Sequence, residues 1–315
     1  MRITAGARTL LTAGAFVLLI AAVWVGLSLL PERAPGERRQ LADLFDRAEA
    51  GEARARLAEA EAAYGEAATL AERLKDAKAQ IAARIGLARL AAARDRHEDA
   101  LDRLGPALGL AQGLKDPERT ATVLNNLGEI ARARGNLAEA RGRFQEALDL
   151  PGASEKARAA ALNNLGEIAR AERRYDQALD YYRRSLALNE KLGYKPGLAA
   201  NLANIGAVYV ARGRGAEAVG WLERGRRAAF EAGDRLGLPP ILTTLGQAYA
   251  ASGQTGEALA SLVEARDQYL LLGLEAKATA LTGQIRDLRD AGAVPAPPAA
   301  PPPHVHPLPA RPSPR

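Results

Sequence analysis

Residues 124–133 read LNNLGEIARA, and residues 162–171 repeat the same ten letters 38 positions later. A chance match of that length is very improbable, so the chain is built from duplicated units. Carried outward, the register finds alanine at Ala60, Ala100, Ala140, Ala178, Ala218 and Ala258, spaced 40, 40, 38, 40 and 40 residues apart. Four residues after each stands a large apolar side chain: Tyr64, Leu104, Phe144, Tyr182, Leu222 and Leu262. Twelve residues before each stands a small one: Ala48, Ala88, Gly128, Gly166, Gly206 and Gly246. Glycine inside a helix costs about 1 kcal/mol relative to alanine. A repeated column of it therefore points to two helices in close approach, with the large residue filling the space beside them.

Turn signals fall where two helices per period require them. Arg134-Gly135-Asn136, Arg212-Gly213-Arg214-Gly215 and Ser252-Gly253 lie within units. Asp116-Pro117, Pro151-Gly152, Lys195-Pro196 and Pro239-Pro240 lie between them, where proline suits the first turn of a new helix. Each helix pair leaves an apolar face uncovered and must stack on its neighbours, which gives a solenoid over residues 41–274. One further helix is expected over 275–291, with Ala278, Leu281, Ile285 and Leu288 on one stripe and a polar face to end the stack. From residue 292 to 315 the chain is rich in proline and alanine, cannot build a core, and is expected to be disordered.

The leucine-glycine pair, the residue three further on (Ala131, Ala169, Tyr209, Tyr249), the glycine turn, the alanine and the large apolar residue together resemble the tetratricopeptide-repeat family. The likeness is strong over 117–272 and weaker over 41–112, where Ala48 and Ala88 replace glycine. The period of 38–40 exceeds the family's usual ~34 and is similar to the longer-repeat branch of kinesin light chains and several bacterial peptide-sensing regulators. The resemblance implies an all-α, right-handed superhelical solenoid of about six helix pairs plus a C-terminal capping helix. It also implies that the first helix of each pair lines a concave groove, whose asparagines hydrogen-bond the backbone of a bound peptide.

On those first helices Leu124, Leu127, Gly128 and Ala131 form the buried stripe, leaving Asn125, Asn126, Glu129 and Arg132 elsewhere. The second copy supplies Asn163, Asn164, Glu167 and Arg170, and the next unit keeps Asn201 and Asn204. An amide both donates and accepts, so it can satisfy an extended backbone without selecting one side chain. Asn126, Asn164 and Asn204 are read as groove residues, or alternatively as bonds to the adjacent helix; the four charged residues are read as groove contacts or solvated ion pairs. Repeats that clamp a terminal carboxylate place lysine or arginine beside the groove asparagine. Here those neighbours are Asn125, Asn163 and Ala203, which disfavours that clamp.

Residues 9–30 are 22 uncharged, largely apolar residues. As a helix they extend ~33 Å, enough to cross a ~30 Å hydrocarbon core. A single-pass anchor is expected, with residues 1–8 as a short tail, 31–40 as a linker and the array extracytoplasmic. A cleaved signal is the alternative, which would leave a secreted or periplasmic binding protein. Its cleavage sites, Gly26-Leu27-Ser28 and Ala34-Pro35-Gly36, are poor.

The net charge of +6 comes from the ends, since residues 41–290 hold 36 basic against 35 acidic side chains. A near-neutral body offers no broad footprint for a phosphate backbone, so no nucleic-acid partner is expected and a nucleic-acid-associated regulator is the lesser alternative. The chain has no cysteine and three histidines, His97 in an expected turn and His304 and His306 in the tail. No nucleophile motif or phosphate-cradling loop is present. The expectation is a binding protein, not an enzyme, with no metal, cofactor or small-molecule substrate, whose partner is a protein or peptide.

Overall fold

The structure is a computed structural model that describes residues 35–53 and 56–293. The apolar segment 9–30 and most of the proline-rich tail lie outside the described residues. Among those residues the chain is wholly helical, with 13 helices and no strand. They are α1 (Pro35–Ala53), α2 (Leu57–Arg73), α3 (Ala77–Ala92), α4 (His97–Gly113), α5 (Pro117–Ala133), α6 (Leu137–Asp149), α7 (Glu155–Ala171), α8 (Tyr175–Leu192), α9 (Lys195–Ala211), α10 (Gly215–Ala232), α11 (Leu238–Ala251), α12 (Thr255–Leu271) and α13 (Glu275–Ala293). Odd-numbered helices up to α11 are the first members of pairs, even-numbered ones the second. No described helix is long and apolar enough to cross a membrane.

Three boundaries differ from the sequence reading, one being the end of α13, which runs to Ala293 past the expected 291. α1 begins at Pro35, so residues 35–40, expected as linker, are helical. Proline is suited to a first turn because its missing N–H would have no intrahelical acceptor there. His97 opens α4 and does not sit in the turn before it.

The chain divides into two compact units, Met1–Ile168 and Ala169–Arg315. In the first, α1 to α6 each pack on the next, and α3 also touches α5. In the second, α8 to α13 pack in the same succession, and α9 also touches α11. First helices thus line up with first helices inside each unit, the arrangement a solenoid needs.

The columns read from the sequence form the core. Ala60, Ala100, Ala140, Ala178, Ala218 and Ala258 are wholly buried, as are Leu104, Phe144, Tyr182 and Leu222. The glycine column has the expected packing reason. A Cβ on Gly128 would lie 2.5 Å from the Phe144 ring, one on Gly206 2.5 Å from Leu222, and one on Gly246 2.7 Å from Leu262. A further glycine contact joins the first pair to the second, from α2 to α3. The Tyr64 ring packs on Gly86, two residues before the alanine of the column, where a Cβ would approach to 2.6 Å.

Some helix starts are capped by short polar side chains. Asp76 accepts from the Ala79 N–H, Asp116 from Arg119 and Asn136 from Glu139. α13 closes the second unit by burying Ala278, Leu281 and Ile285 against Leu242, Leu262, Ala265 and Tyr269. Its Arg286 and Asp287 remain about three-quarters exposed, the polar face that ends a stack.

Candidate functional site

Each unit presents its own surface of first helices. In the first, the end of α5 and the adjoining part of α7 bring five of the expected residues together. The Asn164 Nδ2 donates to Glu129 Oε1 at 3.3 Å, and Asn163 Nδ2 donates to Glu167 Oε1 at 3.3 Å. Arg132 pairs with Glu167 Oε2 at 3.5 Å. The cluster is self-satisfied, with amides and carboxylates already linked to one another. Water reaches Glu129, which is exposed by area. Even so, protein surrounds its carboxyl closely enough that lost hydration pushes its pKa up, helped by the charge of Glu167; the Asn164 bond and Arg132 pull the other way.

The second unit's first helices carry a different surface. Arg170, in the last turn of α7, lines a cavity of about 390 Å³ with Ala203, Asn204, Ala207, Val210 and Ala211 of α9 and Pro240, Ile241, Thr244 and Gln247 of α11. Its walls are apolar save for the amides, one hydroxyl and one guanidinium. Arg170 Nε is buried and has no hydrogen-bond acceptor among the described residues.

The ten residues singled out by sequence therefore fall into different environments. Asn125 is buried and its Nδ2 donates to the Ala157 carbonyl at 3.2 Å, tying α5 to α7. Asn201 is 1% exposed. Its Nδ2 donates to Ser185 Oγ at 3.0 Å and its Oδ1 accepts from Asn189 Nδ2 at 2.7 Å, a buried polar link between α8 and α9. Both are buried and bonded to a neighbouring helix, which gives them a packing role where a groove contact was expected. Asn126 is half-buried and turned back on its own helix, donating to the Thr122 carbonyl at 2.8 Å. Asn164 is only 7% exposed. Asn204 and Arg170 line the second unit's cavity.

Sequence reasoning passed over the α11 wall. The signal was present: the forty-residue step from Asn164 to Asn204 continues to Thr244, and that from Glu167 to Ala207 continues to Gln247. It was missed because the letters change while the register holds. A second surface also escaped notice. Phe230 and Leu271, 77% and 80% exposed, border a cavity of about 480 Å³ closed by Leu238 and Leu272. Among the described residues no His, Cys, Asp or Glu cluster is placed to hold a metal ion.

The comparisons agree with this architecture. A family model described as Tetratricopeptide repeat matches residues 82–151 and 157–229, and a second of the same description matches 239–264. Together they cover more than half of the chain. No curated protein matches in sequence. Similar solved structures include a Rap protein complexed with Competence and Sporulation Factor, at TM-score 0.58 and 14% identity, covering 81% of this chain and 77% of that one. Aspartyl phosphate phosphatase F from Bacillus subtilis gives TM-score 0.54 and 14% identity over 80% and 71%. A signal-transduction ATPase with a tetratricopeptide repeat sensor, from Pyrococcus horikoshii, gives 0.59 and 14% over 76% and 39%. At such identities the likeness is one of fold.

Proposed function

Because the chain belongs to the tetratricopeptide-repeat family, we propose that it is a non-catalytic interaction scaffold that holds an extended segment of a partner protein against its first helices. One observation carries the reading: the cavity whose walls are first helices α9 and α11 joins apolar surface to amide and hydroxyl groups. Apolar walls with a few placed polar groups are the usual make-up of a ligand site. The fold is compatible with this use, since the similar Rap protein is solved in complex with Competence and Sporulation Factor. We further propose a place in the longer-repeat branch, on the period of 38–40 residues, and a membrane tether through residues 9–30 with the array on the extracytoplasmic side.

A photo-crosslinking side chain at Thr244 of the full chain tests the groove. It should capture one discrete protein from cells, while the same probe at exposed Glu231 on α10 should not. Equal yields at both positions would remove the groove from the account. Alkaline extraction tests the tether: the chain should stay with the membrane pellet, and recovery in the supernatant would replace the anchor with a cleaved signal.

A further inference from the structure

The two units differ sharply in the charge on their first helices. In the first, Arg132, Glu167 and Glu129 stand in one linked cluster. In the second, α9 and α11 together contain a single charged side chain, Lys195, and it is paired with Glu231 at 3.1 Å. Arg170 is therefore the one charged group on the cavity, set beside Ala207, Val210 and Ile241. None of the cavity's walls supplies a carboxylate, and Arg170 Nε is buried without an acceptor. With Nε buried, the two terminal nitrogens of the guanidinium are the ones that form a flat fork fitting one carboxylate by two parallel hydrogen bonds. A single cation matches a singly charged carboxylate better than a phosphate near −2.

We propose that this cavity selects an extended segment of a partner that carries one Asp or Glu side chain flanked by small or branched apolar residues, with the carboxylate docked on Arg170. This rests on the peptide-binding reading and adds to it the chemistry of the segment. It is distinct from the terminal-carboxylate clamp that the sequence disfavours, because Arg170 stands six residues beyond Asn164 and not beside it.

The test is a random-decapeptide phage display, with peptides free at the N-terminus and fused at the C-terminus, selected on the full chain in detergent. Enriched peptides should share one acidic residue among apolar neighbours. A synthetic copy of one of them should bind the parent at least tenfold more tightly than its Glu→Gln or Asp→Asn version. Arg170→Gln should lose the same factor and show no further loss with the neutralised peptide, since the two changes remove one interaction. Ala207→Trp, which fills the cavity and keeps the guanidinium, should also abolish binding and serves if Arg170→Gln fails to fold. Enriched peptides without an acid, or equal affinity for Arg170→Gln, overturn the acidic segment and leave the peptide-binding reading standing. No enrichment on the parent overturns both. A phosphopeptide preferred over its carboxylate counterpart overturns the choice of anion.

Discussion

Gly128 shows how a single absent methyl group sets the distance between two helices. A Cβ there would sit 2.5 Å from a wholly buried Phe144 ring. Forcing extra volume into a packed core costs about 1–3 kcal/mol, more than the ~1 kcal/mol alanine gains as a helix former. Gly128→Ala should therefore lower stability by up to ~2 kcal/mol in thermal or denaturant melts. Gly142→Ala, where a Cβ meets nothing within 4 Å, should leave it unchanged or raise it. Glu129 gives a prediction with a pH sign. Its carboxyl pKa is raised by lost hydration, so the folded state holds its proton more tightly than the unfolded chain. Stability from this group is greatest below the ordinary carboxylate range and falls as pH rises through the raised value. Glu129→Gln should accordingly raise the Tm at neutral pH, with the gain shrinking to nothing in acid. A gain that persists in acid would mean that Gln simply packs better. The buried columns were legible in the sequence because period and residue size define them. The asparagines were not: Asn125 and Asn163 hold the same place in identical stretches, yet one meets the Ala157 carbonyl and the other Glu167. Their surroundings come from neighbouring helices whose letters differ.

Among the helices, α13 has the plainest task. It covers Leu242, Leu262, Ala265 and Tyr269 with Ala278, Leu281 and Ile285. Deleting residues 275–315 bares that face beside the already exposed Leu270 and Leu271, and a large contiguous apolar surface drives association. Light scattering should show oligomers or precipitate where the parent does not; a monodisperse truncation would end the capping role. Glycine and proline marked most turns, but not all. Lys75, Asp95, Lys115 and Arg173 adopt the left-handed conformation that Gly135, Gly193, Gly213, Gly233, Gly253 and Gly273 adopt at corresponding junctions. The half-repeat geometry imposes that conformation whatever the residue, so a reading based on glycine finds only some of the turns. The start of α1 was missed for the opposite reason, since Pro35-Gly36 reads as linker and is a helix entrance.

For the whole molecule, the solenoid architecture was legible because stacked pairs repeat the same packing problem. The near-absence of charge on α9 and α11 was there in the letters, but that Arg170 shares a wall with them came only from the packing. The duplicated stretch sets how the length of the array can change. The ten residues 124–133 and 162–171 occupy the second part of α5 and of α7, both first helices of 17 residues. Excising residues 124–161 joins Val123 to Leu162 and restores a helix of the same length, whose last ten residues are letter for letter those of α5. The shortened protein should fold into five pairs, stay monodisperse on size exclusion, and lose two helices' worth of ellipticity with a lower Tm. Aggregation would show that the pairs are not interchangeable. A chain with such a junction has unit number as a variable of its own: recombination within the duplicated stretch removes or adds a whole pair without creating a foreign boundary, so reach can change in steps while every local contact rule is kept.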